Sequence, residues 1–286
     1  MVLSSVQPKL KLVVLVFVGL SFVPSLLRGD GKAVASRVIR LNLRTRVQPF
    51  KTTLHWQVVN FQEEVPLKET AIVICDMWDS HWCTGAARRV DLLARKMAPV
   101  IDEARSHGIL IIHAPSDTMS FYKGYPQRKR MLEIAKVDPP PDLNLSAPRL
   151  PIDDADGGCD TTPPDKVYVA WTRENSAIRV GDSDLISDDG EEIYSLLRQR
   201  AIKNLLVMGV HTNMCVLNRP FAIQQMTKRG IRCILVRDLT DSLYNPKDRP
   251  YVTHDQGTEL VVEYIEKYWC PSLLGSDLER ALERPE

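Results

Sequence analysis

The sequence predicts an α/β fold with a doubly wound, mostly parallel sheet and helices on both faces. Three observations carry this. From Thr70 onward, short apolar runs alternate with stretches of helical periodicity. The runs are continuously apolar, as strands covered on both faces must be. The 286 residues suit one generous domain, or one domain with extensions.

The elements follow in order. "TAIVIC" (70–75) is the first strand of the alternating region. In "ARRVDLLARKMAPVIDEARSHG", Val90, Leu93, Met97, Val100, Ile101 and Ala104 recur at helical spacing, and Gly108 stops the helix. "ILIIHA" is the second strand. Residues 114–165 hold "PPPDL", "DDADGG" and "TTPPD", which is loop chemistry throughout. A loop of that length is usually a lid or a functional insertion. "KVYVAW" (166–171) reads as a third strand. "DDGEEIYSLLRQRA" reads as a helix whose acidic first turn suits its dipole. "NLLVMGV" is a fourth strand, "CVLNRPFAIQQMTKRG" one helix, "IRCILVRDL" a fifth strand and "GTELVVEYIEKYW" a closing helix. Alternating βα units imply a three-layer, Rossmann-like α/β/α arrangement. The main domain expected here is 70–270, followed by a tail at 271–286.

Ahead of it, residues 36–69 contain "RVIRLNLRTRV" and "HWQVVNF", expected as an N-terminal β extension. Residues 1–35 differ again. Lys9 and Lys11 precede the uncharged run Leu12–Val23, and small residues follow at "KAVAS". This is the layout of a secretory signal peptide or an uncleaved N-terminal anchor, and it predicts an exported protein, periplasmic or secreted. A net charge of +1 with interleaved signs gives no reason to expect nucleic acid or a membrane surface as partner. The only membrane attachment expected is through that leader. The expected partners are a small-molecule substrate and further copies of the chain in a homo-oligomer.

None of the six cysteines forms a C-x-x-C pair, which disfavours a zinc knuckle or a thioredoxin-type motif. In an exported chain some of them can pair, with connectivity left open. Cys75 and Cys233 lie in apolar runs and read as buried small hydrophobes.

In open α/β sheets, ligands bind beyond the carboxyl ends of the strands. Three segments end there: "CDMWDSHWC" with Asp76, "AWTRENSAI" with Thr172 and Arg173, and "GVHTNMC" with Cys215. A thiol at a helix start is expected to have a lowered pKa and to sit beside backbone N–H groups that can hold an oxyanion. Asp76 is the candidate general base. A bland alternative is a core cysteine at a helix start.

"AIVICDMWD", the "SAI" of "TRENSAI", and "LLVMGVHTNMCVLNRPFAIQQMTKRG" followed by "VRD" resemble the isochorismatase-like cysteine hydrolase superfamily, which includes nicotinamidases, carbamoyl-amide hydrolases and isochorismatases. The likeness runs from about Thr70 to Trp269. It implies a catalytic set of Asp76, Cys215 and a lysine after the third strand. It also implies a cis peptide between Val210 and His211, and oxyanion donors from the N–H groups of His211 and Cys215. The lysine position is Thr172 here, with Arg173 next to it. Either residue is then the candidate replacement, although arginine cannot readily pass a proton.

Trp78, His113, Trp171 and Tyr122 are the expected pocket residues. Some relatives bind a divalent metal, so Asp79, His81 and His113 are candidate zinc ligands, but no metal and no other cofactor is assigned. The reading is a cysteine hydrolase cleaving a small amide or related C–N bond through a thioester. The alternatives are an isochorismatase-type enol-ether hydrolase using Asp76, and a non-catalytic binding protein on the same scaffold.

Overall fold

Residues 38–47 and 57–66 pair as strands, and the first alternates a buried Ile39, Leu41 and Leu43 face with polar positions. The computed structural model describes residues 37–50, 55–163 and 165–283, and the expected leader lies outside them. Strand β1 (Val38–Val47) pairs antiparallel with β2 (Gln57–Pro66) along its whole length. A 3₁₀ turn at Leu67–Glu69 leads into β3 (Thr70–Cys75), every residue of which is buried. Helix α1 (Thr84–Ser106) and β4 (Leu110–Ala114) follow as expected.

Next come α2 (Met119–Tyr122), α3 (Pro126–Leu132), β5 (Leu185–Ile186), α4 (Gly190–Gln199) and β6 (Asn204–Val210). The chain then forms α5 (Cys215–Asn218), α6 (Ile223–Lys228), β7 (Arg232–Asp241), α7 (His254–Tyr268), β8 (Ser272–Leu273) and α8 (Gly275–Glu283). The strands make one eight-stranded mixed sheet in the order β2-β1-β8-β7-β6-β3-β4-β5, with β3 to β8 parallel and the β1–β2 hairpin joined antiparallel through β8. The architecture is α/β, as the sequence predicts.

Two cores cover the two faces of the sheet, sorted by the two-residue period of its strands. Ala71, Val73 and Cys75 face a layer built from α4, α6 and α7, including Leu196, Leu197, Ile223, Val261 and Ile265. Ile72 and Ile74 face α1 and α8, including Val90, Met97, Ile101, Leu278 and Leu282. Cys75 and Cys233 are buried among these apolar side chains.

Three expectations are corrected. The segment "KVYVAW" forms no strand, and Val167, Tyr168 and Val169 are all exposed. Its β propensity is real, but the sheet position beside β4 is taken by Leu185–Ile186, which are buried. "CVLNRPFAIQQMTKRG" is two helices rather than one. Pro220 has no N–H to continue the ladder, and α5 ends just before it. Residues 271–283 are no tail, since β8 joins β1 to β7 and α8 packs Leu278 and Leu282 into the core. The 114–165 segment also carries the short helices α2 and α3. Its later part runs along the chain surface, bonding Lys228 and Arg249 through the N–H groups of Leu143 and Asp153.

Candidate active site

Strands β4 and β6 lie on opposite sides of β3, so the chain order reverses there, and in such sheets ligands bind beyond the carboxyl ends of the strands at that point. Asp76 follows β3 directly, and its backbone is held at φ 49, a left-handed conformation unusual for a non-glycine residue. Gly209 lies opposite Cys75 with φ 121, and a Cβ there would fall 2.0 Å from the Cys75 carbonyl oxygen. Only glycine permits that approach of the two strand ends. The Val210–His211 peptide is cis. The loop then turns through Thr212, whose N–H bonds the Asp241 carbonyl and whose hydroxyl meets that of Thr240 at 2.7 Å, and α5 opens on Cys215.

The Asp76 carboxylate is the hub. One oxygen accepts the Ser116 N–H at 2.7 Å, the other accepts Nε of Arg219 at 2.9 Å, and the Cys215 thiol lies close enough to the same group to feel its charge. Asp76 is fully buried, while Arg219 stays about one-third exposed. Burial raises the Asp76 pKa, and Arg219, the thiol and Ser116 oppose that rise. Burial also pushes the Cys215 thiol up, to about 12, and the Asp76 charge pushes the same way; Arg219 and the His211 N–H counteract them only in part.

This corrects the expectation of a resting thiolate. The helix it opens is a single turn, too short for a strong dipole, and the neighbouring carboxylate disfavours a second negative charge. Both burial and the Asp76 charge favour the protonated thiol, and Arg219 pairs with the carboxylate. The arrangement can transfer a proton from sulfur to carboxylate as the sulfur attacks, without a standing thiolate.

Arg219 is the cation of this site, and sequence reasoning missed it. It lies four residues after Cys215, and its N–H closes a helical turn on the Cys215 carbonyl at 2.9 Å. The i,i+4 spacing was the available signal. Arg173 and Thr172 are not brought to the sulfur. The Thr172 N–H and hydroxyl bond the Asp79 carboxylate at 2.9 and 2.7 Å. Arg173 reaches Asp79 at 3.7 Å and covers the Phe121 ring. With "KVYVAW" left as loop, residues 172–174 run beside Trp78 and Asp79, where Glu174 bridges Trp78.

The pocket candidates separate into two pairs. Trp78 and Trp171 stack at 4.2 Å, His81 lies 5.8 Å from Trp171, and His211 meets His81 edge-on at 4.9 Å. These rings form one aromatic wall leading to the His211 loop. Burial pushes His81 down to about 4 and His211 to about 3, so both are neutral at physiological pH. His113 and Tyr122 belong elsewhere. His113 is sealed between Glu174 at 2.7 Å and Asp184 at 2.9 Å. Burial opposes its charge, but the two carboxylates prevail and raise it to about 9. The Tyr122 hydroxyl accepts the Glu174 N–H, and its ring lines a separate cavity of about 320 Å³ with Phe121, Tyr125 and Arg173.

The candidate zinc ligands do not fit a metal. Both ring nitrogens of His113 are taken by carboxylates, and the Asp79 oxygens are taken by Thr172 and Arg173. Among the described residues the one group with ligand-like spacing is Cys83, Cys159 and Asp165, and its two cysteines form a disulfide. No helix among the described residues is long and apolar enough to cross a membrane.

No protein-family model matches the chain, and no curated protein matches it. Solved structures do. The chain is similar to a cysteine hydrolase from Pseudomonas syringae pv. phaseolicola 1448A, with 17% identity, 77% of this chain and 94% of that one covered, and a TM-score of 0.48. It is also similar to an isochorismatase family protein from Burkholderia thailandensis, with 15% identity, 76% and 97% coverage and a TM-score of 0.44. An isochorismatase from Pseudomonas putida KT2440 aligns at 12% identity, with 74% and 91% coverage and a TM-score of 0.46.

Proposed function

We propose that this protein is an isochorismatase-like hydrolase that cleaves a small amide or related C–N bond through Cys215. The observation that carries the reading is the buried Asp76 carboxylate, paired with Arg219 and within electrostatic reach of the Cys215 thiol. The sulfur attacks the carbonyl carbon as its proton passes to Asp76. N–H groups of His211 and Cys215 hold the oxyanion, in the roles that the motif resemblance implies. Asp76 then gives the proton to the departing nitrogen, leaving a thioester on Cys215. Water, deprotonated by Asp76, attacks the thioester, and the acid leaves as the thiol re-forms. Arg219 supplies fixed positive charge. It keeps Asp76 ionised between transfers and does not carry the proton itself.

A second reading has support of its own. The raised Asp76 pKa and a thiol at about 12 suit an enol-ether hydrolase in which Asp76 is the acid and the thiol is dispensable. A panel of small amides, ureas and enol ethers, assayed with wild type, Cys215→Ala and Asp76→Asn, separates the two. Amide turnover that vanishes in both variants, with an acyl adduct on Cys215 seen by mass spectrometry, supports the first. Enol-ether turnover that survives Cys215→Ala sinks it in favour of the second. No turnover and no adduct with any member of the panel returns the chain to a binding role. We also propose export to an oxidising compartment, which the Cys83–Cys159 disulfide supports.

A further inference from the structure

The loop 153–160 lies outside the reacting groups, yet it is tied down more heavily than a surface loop needs. Cys159 is joined by a disulfide to Cys83, the residue just before α1 and 76 positions away. Asp160 binds Arg89 of α1 at 2.6 Å. Gly158 sits at φ +69, and a Cβ on it would fall 2.2 Å from the Leu243 carbonyl oxygen, so the loop backbone lies directly on the chain leaving β7. A crosslink of this kind restricts how far the loop can stray.

What the loop touches is the approach to Cys215. Asn213 is 1% exposed, and its amide is fully engaged. Its oxygen accepts the Leu243 N–H at 2.9 Å, and its nitrogen donates to the Leu243 carbonyl at 3.1 Å and to Asp154 at 2.8 Å. Met214, the next residue, packs against the cluster of Cys83, Ala86, Cys159 and Leu243 that surrounds the disulfide. Both residues before the sulfur therefore contact the stapled loop or the cluster around its disulfide. We propose that this loop positions the nucleophile, with Asp154 and Asn213 as the pair that transmits its rigidity to Cys215. Asp154 is a positioning residue. It makes none of the contacts of Asp76, Arg219 or the sulfur.

The catalytic consequence rests on the hydrolase reading; the mechanical one does not. A misplacement of about 1 Å at a nucleophile costs on the order of 100-fold in rate. The test uses the full chain with Asp154→Leu, Asp154→Asn, and the double variant Cys83→Ser with Cys159→Ser. Two quantities are read: hydrogen exchange of backbone amides in a peptide spanning residues 208–218, and kcat and KM on the amide that wild type turns over fastest. Asp154→Leu, which removes the acceptor, is expected to speed exchange by about tenfold and lower kcat by a similar factor, with KM within about twofold. Asp154→Asn keeps an acceptor oxygen and is expected to restore both. The double cysteine variant is expected to match or exceed Asp154→Leu. Unchanged exchange in Asp154→Leu overturns the proposal, and so does a loss that Asp154→Asn fails to rescue. If the double variant does not fold, the Asp154 pair decides alone. If no amide is turned over, exchange decides without reference to activity, so the hydrolase reading can fail by itself.

Discussion

Two buried ionic clusters lie close to one end of the sheet, and they are built to opposite ends. One joins Asp76, Arg219 and Cys215. The other joins Glu174, His113, Asp184 and Arg105, in which Asp184 takes His113 at 2.9 Å and Arg105 at 2.8 Å. In the second, opposite charges alternate and each ring nitrogen of His113 has a carboxylate. Burial opposes ionisation of Asp184, yet His113 and Arg105 hold it down at about 2, while His113 rises to about 9. Protons there are fixed in place. In the first, burial raises both the Asp76 carboxyl and the Cys215 thiol, and an arginine about one-third exposed compensates only in part. One proton is left with two competing owners. A cluster whose opposite charges alternate holds the fold, and one in which burial outweighs the pairing charge can do chemistry.

The contrast is broken most sharply by Cys215→Ala, which is expected to abolish amide hydrolysis by about 10⁴-fold or more while leaving the melting temperature within a few degrees. Steady-state kinetics and a thermal melt check it, and retained amide turnover removes the thiol from the mechanism. Asp76→Asn keeps the shape but loses the base, with an expected fall in kcat of about 10²–10⁴-fold.

Arg219→Met is expected to lower kcat/KM by about 10²-fold, whereas Arg173→Met changes it by no more than about threefold. If Arg173→Met is the more damaging of the two, the cation of the site has been misassigned.

The paired cluster answers to pH rather than to substrate. Its histidine is held above the ordinary value of 6.5, so the stability it contributes is complete below pH 6.5 and is lost as pH rises through about 9. Denaturant melts at pH 6.5 and pH 10 are expected to differ by on the order of 3 kcal/mol from this group, and His113→Asn is expected to lose that part of the pH dependence. An identical pH dependence in the variant shows that the ion cluster does not govern it.

Much of this was legible in advance. β3, β4, β6 and β7 announce themselves as short apolar runs because both faces of a central strand must be hydrophobic. The α1, α4 and α7 segments show their buried faces at helical spacing. Asp76 and Cys215 could be placed beyond the carboxyl ends of β3 and β6 because strand ends and helix starts are local features. The misreadings share one cause. "KVYVAW" has the composition of a strand, but occupancy of a sheet position is a competition among segments, and Leu185–Ile186 won it. The charge expected from Arg173 comes from Arg219, because residues 172–173 are drawn to Asp79 instead.

Residue order alone was enough for the α/β class and for placing Asp76 and Cys215 beyond the ends of β3 and β6, since each depends on periodicity within a few turns of chain. Folding decided which arginine faces the carboxylate, which histidine is sealed as a cation, where the sulfur keeps its proton, and which cysteines pair. Those outcomes depend on distances between segments far apart in the chain, and on how deeply each group is removed from water, and neither is encoded in any short stretch.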